Sequence, residues 1–188
     1  MANLNSRVMA WFRRKKEKPM KKVAHYLVKK GVTANMVTFA SLFAGILAVY
    51  FLFQNHLLFF LFVLIHLFLD ALDGVVARIK GATAEGKSFD LLVDRLVNLG
   101  MLLKIASYSE SSIASLAVLF FILSQGIYFY TKFEAPAYFT RTWVLIILVI
   151  KLPLIAASFA GVMNLYGLYK QYKWFRKKKR STSLKKRP

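Results

Sequence analysis

Between Met36 and Phe53 the chain runs eighteen residues without a charged side chain, and from Leu57 to Leu69 it runs thirteen more. A helix rises about 1.5 Å per residue and the hydrocarbon core of a bilayer is about 30 Å thick, so the first run is nearly long enough to cross it. Backbone in lipid must satisfy its own hydrogen bonds, which makes helices the natural form of such runs. Hydrophobic residues make up 57% of the chain, so the same constraint governs most of it. The expected fold class is all-α, an integral membrane bundle.

Apolar runs and breakers place six transmembrane helices, at about 35–54, 57–79, 86–107, 111–131, 141–151 and 153–172. Pro153 favours a break between the last two; one long tilted helix from Trp143 to Leu168 is the alternative. Gly31 ends the segment before the first span, and Thr33 or Asn35 stands where a cap is needed. Net charge is +20, with ten Lys and Arg in residues 1–30 and ten more in 170–188. Basic ends can bind nucleic acid, but beside apolar spans they mark cytoplasmic flanks near anionic lipid, so no nucleic-acid partner is expected. Two cytoplasmic ends require an even number of crossings. Residues 5–30 mix Val8, Met9, Trp11, Phe12, Val23, Tyr26, Leu27 and Val28 with basic residues. They read as an amphipathic interfacial helix broken near Pro19, its basic face towards lipid headgroups, with a solvated charged tail as the alternative. The expected organisation is a basic juxtamembrane segment (1–30), a six-span domain (31–172) and a basic cytoplasmic tail (173–188) of a multi-pass cell-membrane protein. No cysteine is present, which excludes disulfides and thiolate chemistry, and no signal peptide is expected at the N-terminus.

Four of the eight acidic residues, Asp70, Asp73, Asp90 and Asp94, stand at the ends of apolar segments. An aspartate at the centre of a span costs about 2.5–3.5 kcal/mol on the translocon scale, so four facing lipid would cost on the order of 10 kcal/mol. They must share a wet cavity, carry partners or lie near the interface. At about 100° per residue, Asp70, Asp73, Gly74 and Ala77 occupy one arc of the second span, and Gly86, Asp90 and Asp94 form a stripe on the third. The short connection 79–85 lets the two stripes face each other near the cytoplasmic surface. Converging carboxylates repel unless cations neutralise them, and hard oxygen ligands suit Mg2+ or Mn2+. Glycine and alanine leave room for a ligand against the backbone, and Arg78 can pair with phosphate. Together they point to metal-assisted phosphoryl chemistry on a pyrophosphate substrate.

The pattern D-x2-D-G-x2-A-R followed by G-x3-D-x3-D, here Asp70, Asp73, Gly74, Ala77, Arg78, Gly86, Asp90 and Asp94, resembles the CDP-alcohol phosphotransferases. Seven residues separate Arg78 from Gly86, one fewer than in the family pattern. Upstream, GVTANMVT (31–38) looks like the family's entry to the first span, with Ala34 in place of proline. The resemblance implies transfer of a phosphatidyl-type group from a CDP-linked lipid to an alcohol, with release of CMP. By that pattern Asp70, Asp73 and Asp90 hold the metals, and Asp94 both helps to ligate and is the base on the incoming hydroxyl. Gly74, Ala77, Arg78, Thr83 and Gly86, with Asn35 and Thr38 upstream, fall to the CDP-lipid. The resemblance also allows a homodimer.

Other residues carry two readings each. His66, one turn before Asp70, either supports that aspartate or makes an ordinary interhelical bond. Lys132 and Arg141 form a cationic pocket for a phosphorylated acceptor or are plain inner-flank charges. Lys104 snorkels outward, and Tyr128, Phe129 and Tyr130 read as interface belt. The acceptor is expected to be a polyol phosphate, inositol phosphate or glycerol phosphate, with serine as the alternative; the lipid is diacyl or archaeal ether. A divalent-cation transporter would also place acids in spans, but has no need of Gly74, Ala77 and Arg78 beside them. A non-catalytic membrane anchor would leave the aspartates dispensable.

Overall fold

The computed structural model describes residues 19–131 and 140–184, with side chains through Lys178. Among the described residues the chain is entirely helical. It divides into two compact units, Met1–Val97 and Asn98–Pro188.

In the first unit, α1 (19–29) is followed by α2 (Ala34–Phe51), α3 (His56–Lys80) and the first half of α4 (Ala84–Ser109). The end of α1 shows why Gly31 stands where it does. Gly31 takes φ 84°, which only glycine adopts cheaply. That turn lets Val32 N donate to Leu27 O and Gly31 N to Val28 O, satisfying carbonyls the helix leaves open. Thr33 then caps α2, its hydroxyl accepting from Met36 N at 3.3 Å. Residues 1–18 of the expected interfacial helix lie outside the described residues. Within 19–29, Met20, Ala24, Leu27 and Val28 recur at helical spacing and pack on Val37, Leu72, Val75 and Val76 of α2 and α3. This face of α1 therefore covers protein rather than lipid, while Val23 and Tyr26 remain exposed.

α2 is inverted relative to a helix in water. Met36, Phe39, Phe43, Ile46 and Tyr50 recur on its exposed face, whereas Thr38, Ser41, Ala44, Gly45 and Ala48 are buried. Large apolar side chains gain nothing by leaving lipid, so helices there associate through small residues and side-chain hydrogen bonds. α2, α3 and α5 (Ser112–Thr131) have the length and apolarity to cross a membrane. α3 and α4 are joined by 81–83 alone. Ile79 and Lys80 belong to α3, and Ala84 and Glu85 to α4. The connection is thus shorter than the expected 79–85 because Gly81, with φ 97°, is what ends α3.

The second unit holds the rest of α4, α5, α6 (Thr140–Val149) and α7 (Pro153–Leu184). α5 lies close on α7: a Cβ added at Gly161 would sit 3.3 Å from Ala117 Cβ. The break between α6 and α7 falls at Pro153, as the sequence favours. Lys151 there takes φ 62°, and Leu152 N donates to Ile147 O and Lys151 N to Leu148 O. α7 runs on to Leu184, so the segment expected as a tail from 173 begins as helix.

Candidate active site

The site lies wholly in the first unit, where the C-terminal half of α3 meets the start of α4. Each of Asp70, Asp90 and Asp94 offers a carboxylate oxygen, all within 4.8 Å of one another, and each side chain is partly buried. Two charges 4.8 Å apart repel by about 3.5 kcal/mol at an effective dielectric of about 20. Three such groups form a cluster that a cation placed between them would neutralise. An all-oxygen donor set of this kind suits a hard divalent ion.

Asp73 stands apart from this trio. It is buried, and Thr38 Oγ1 donates to its Oδ2 at 2.7 Å across from α2. Thr38, expected as a substrate contact, is thus also the residue that holds one of the acids. Hydrogen bonds to charged groups contribute about 1.5–3 kcal/mol. Thr38→Val, which keeps the shape and removes the donor, is expected to lower turnover roughly 10–100-fold if that energy orients Asp73. Thr38→Ser should restore most of it, and equal rates for the Val and Ser variants would refute the role.

A cleft of about 210 Å³ opens beside Asp73 and Asp90. All seven residues that the family pattern would give to the CDP-lipid line it: Asn35, Thr38, Gly74, Ala77, Arg78, Thr83 and Gly86. Asp70 and Asp94 are not among its lining residues. The Arg78 guanidinium curls back over Gly74, where an added Cβ would sit 3.5 Å from its Nη1. Thr83 is the N-cap of α4, its hydroxyl accepting from Gly86 N at 3.0 Å. A Cβ on Gly86 would press on that hydroxyl at 3.0 Å and on Asn35 Oδ1 at 3.2 Å, so glycine keeps this corner open.

Lys87, which is not one of the motif residues, also lines the cleft. Sequence reasoning missed Ser41. Its side chain sits against His66, with Oγ 2.9 Å from Nδ1, so the interhelical reading of His66 holds for that nitrogen. Arg141 stands in the first turn of α6, in the second unit, and Lys132 lies outside the described residues.

The model of the CDP-alcohol phosphatidyltransferase family matches residues 31–176. Archaetidylinositol phosphate synthase of Pyrococcus horikoshii is 33% identical over 101 residues, which are 53% of this chain and 54% of that protein. The chain thus spans about half the length of this relative. With a family match over most of its length, the chain belongs to the CDP-alcohol phosphatidyltransferase family.

Proposed function

We propose that the protein transfers a phosphatidyl-type group from a CDP-linked lipid to the hydroxyl of a polyol phosphate, inositol phosphate first, with release of CMP. The observation that carries this reading is the union of a three-carboxylate cluster with a cleft lined by Arg78 and Lys87. An acid cluster alone fits a cation pathway; acids beside a basic, small-residue cleft fit a pyrophosphate. The name of the relative, a synthase of archaetidylinositol phosphate, favours inositol phosphate over glycerol phosphate and serine and an ether lipid over a diacyl one.

Asp70, Asp90 and Asp94 would hold Mg2+ or Mn2+, and Asp73, anchored by Thr38 at Oδ2, would serve as a further ligand. Bound there, the metal neutralises the pyrophosphate and improves its leaving group. Arg78 and Lys87 bind phosphate oxygens, and Gly74, Ala77 and Gly86 let the nucleotide approach the backbone. The acceptor oxygen attacks the lipid-side phosphorus and its proton passes to Asp94. The bond from that phosphorus to the bridging oxygen breaks, and CMP leaves with the bridging oxygen.

For topology we propose six crossings with both termini and the site at the cytoplasmic face. Both chain ends carry dense positive charge, which an odd number of crossings would separate. α6 is the strained member: its ten residues span about 15 Å, half the hydrocarbon core. Because the chain has no cysteine, single ones can report sidedness without interference. In sealed vesicles of cytoplasm-inside orientation, Asn55→Cys is expected to react with an impermeant maleimide from outside. Ser183→Cys should react only after permeabilisation. Ser183→Cys labelled in intact vesicles would overturn the even count.

Activity is tested by CMP release from CDP-archaeol and CDP-diacylglycerol with inositol phosphate, glycerol phosphate or serine as acceptor. Metal-dependent release with inositol phosphate is expected. No release with any acceptor, together with divalent-cation flux into vesicles, would replace this reading by transport.

A further inference from the structure

One helical turn from the carboxylates, on the side away from the cleft, three helices are pinned together by groups the phosphoryl chemistry does not use. Ser41 of α2 and His66 of α3 are each 1% exposed. Ser41 Oγ donates to the His66 carbonyl at 3.1 Å, and His66 Nδ1 lies 3.0 Å from the Ser41 carbonyl and 2.9 Å from Ser41 Oγ. With the hydroxyl proton committed to the His66 carbonyl, Nδ1 carries the ring proton and donates to Ser41. The two residues therefore bond reciprocally, each through side chain and backbone. Beside them, a Cβ on Gly45 would collide with the Val97 methyl groups of α4 and lie 3.3 Å from His66 Nδ1. Glycine thus brings α4 against the same point.

The register of this node ties it to the acids. His66 precedes Asp70 by four residues on α3, Val97 follows Asp94 by three on α4, and Ser41 follows Thr38 by three on α2. Each pinned residue is one turn from a residue of the acidic site on its own helix. The oxygens of Asp70 and Asp94 come from different helices and hold their spacing only if those helices hold theirs.

We propose that the Ser41–His66 pair is a positioning device for the metal centre, acting through His66 Nδ1 to set the separation of Asp70 from Asp90 and Asp94. It rests on the metal-centre reading above. A lipid environment makes such a device necessary, since apolar contacts alone let helices slide and rotate, whereas a two-bond latch between backbone and side chain has one register.

Asparagine and glutamine separate the two ring nitrogens. His66→Asn puts an amide where Nδ1 stands and can still donate to Ser41; His66→Gln puts it near the Nε2 position and cannot. The measurement is Mn2+ binding to the detergent-purified full chain, followed by the signal of the free ion, beside melting temperature in metal-free buffer. His66→Asn is expected to bind Mn2+ close to wild type, and His66→Gln to lose roughly 10–100-fold, the usual effect of removing a group that orients a ligand. The opposite order would assign the role to Nε2 and overturn the proposal. Unchanged affinity in both variants, with lowered metal-free melting, would overturn it as well, since that pattern marks helix packing alone. Equal loss in both would do the same. If His66→Gln does not fold, Ser41→Ala takes its place with a smaller expected loss, because Nδ1 keeps the Ser41 carbonyl as its acceptor, and unchanged affinity in it would overturn the proposal. Wild-type protein that binds no Mn2+ would strike the metal-centre reading itself, whereas tight wild-type binding with indifferent His66 variants strikes only this inference.

Discussion

Asp90→Asn and Asp70→Asn are expected to abolish CMP release at low millimolar Mg2+ and to recover part of it as the metal concentration rises. Each removes a formal charge from a trio whose oxygens lie within 4.8 Å of one another, while keeping an oxygen and the side-chain shape. The metal then meets two carboxylates in place of three. Loss of an outer group that merely orients a ligand costs about 10–100-fold in affinity, so loss of a ligand's charge should exceed that. Asp73→Asn should behave differently. Its Oδ2 is already engaged by Thr38, and an asparagine oxygen still accepts that bond, so the side chain keeps its place. Its metal dependence is expected to shift less than that of Asp70→Asn or Asp90→Asn. The measurement is CMP release against Mg2+ concentration for each variant. A chelator should silence the wild-type enzyme, and full turnover in metal-free buffer would overturn the assignment of all four acids.

That difference among the acids shows where sequence reasoning stops. Helical arithmetic puts Asp70 and Asp73 on one arc of α3 because their directions differ by about 60°. It says nothing of which neighbouring helix each meets. Asp73 turns to α2, where Thr38 waits, and Asp70 turns to α4, where Asp90 and Asp94 stand. The split depends on the packing of a third helix, which no spacing within α3 or α4 encodes. The cleft, by contrast, was legible nearly whole, since its residues come from two short motifs whose glycines and small side chains serve one purpose. Ser41 and Gly45 escaped notice because a serine and a glycine in an apolar span look like ordinary composition. Their sense appears only opposite His66 and Val97.

The helix ends show the same division. Pro153 announced the start of α7, but the stop of α6 is a lysine in the left-handed region, Lys151, which carries no local signature. The basic end, 173–188, reads as a tail. α7 nevertheless continues into it as far as Leu184, since Lys and Arg are good helix formers and no glycine or proline stands between Gly167 and that point. For α1, composition distinguishes an apolar face from a basic one, yet it cannot distinguish an apolar face turned to lipid from one turned to α2 and α3.

Asp94→Asn is the variant expected to separate proton transfer from metal binding. Asp94 lies one turn farther along α4 than Asp90, belongs to the carboxylate trio, and is not among the residues that line the cleft. A side chain in that position would reach a metal held by the trio without crowding a nucleotide in the cleft, and would leave the acceptor's approach open. Asparagine keeps an oxygen donor there but cannot take a proton near neutral pH. A lost general base lowers turnover by roughly 10²–10⁴-fold, and no concentration of metal returns it. Asp94→Asn is therefore expected to bind the CDP-lipid with little change and to plateau at a low rate as Mg2+ rises, whereas Asp70→Asn and Asp90→Asn climb. Product analysis sharpens the comparison, because a variant that lacks the base but holds its substrate should still protect the CDP-lipid from added phosphodiesterase. If excess Mg2+ rescues Asp94→Asn as fully as the other two, Asp94 is a ligand only and the acceptor's proton goes to another group.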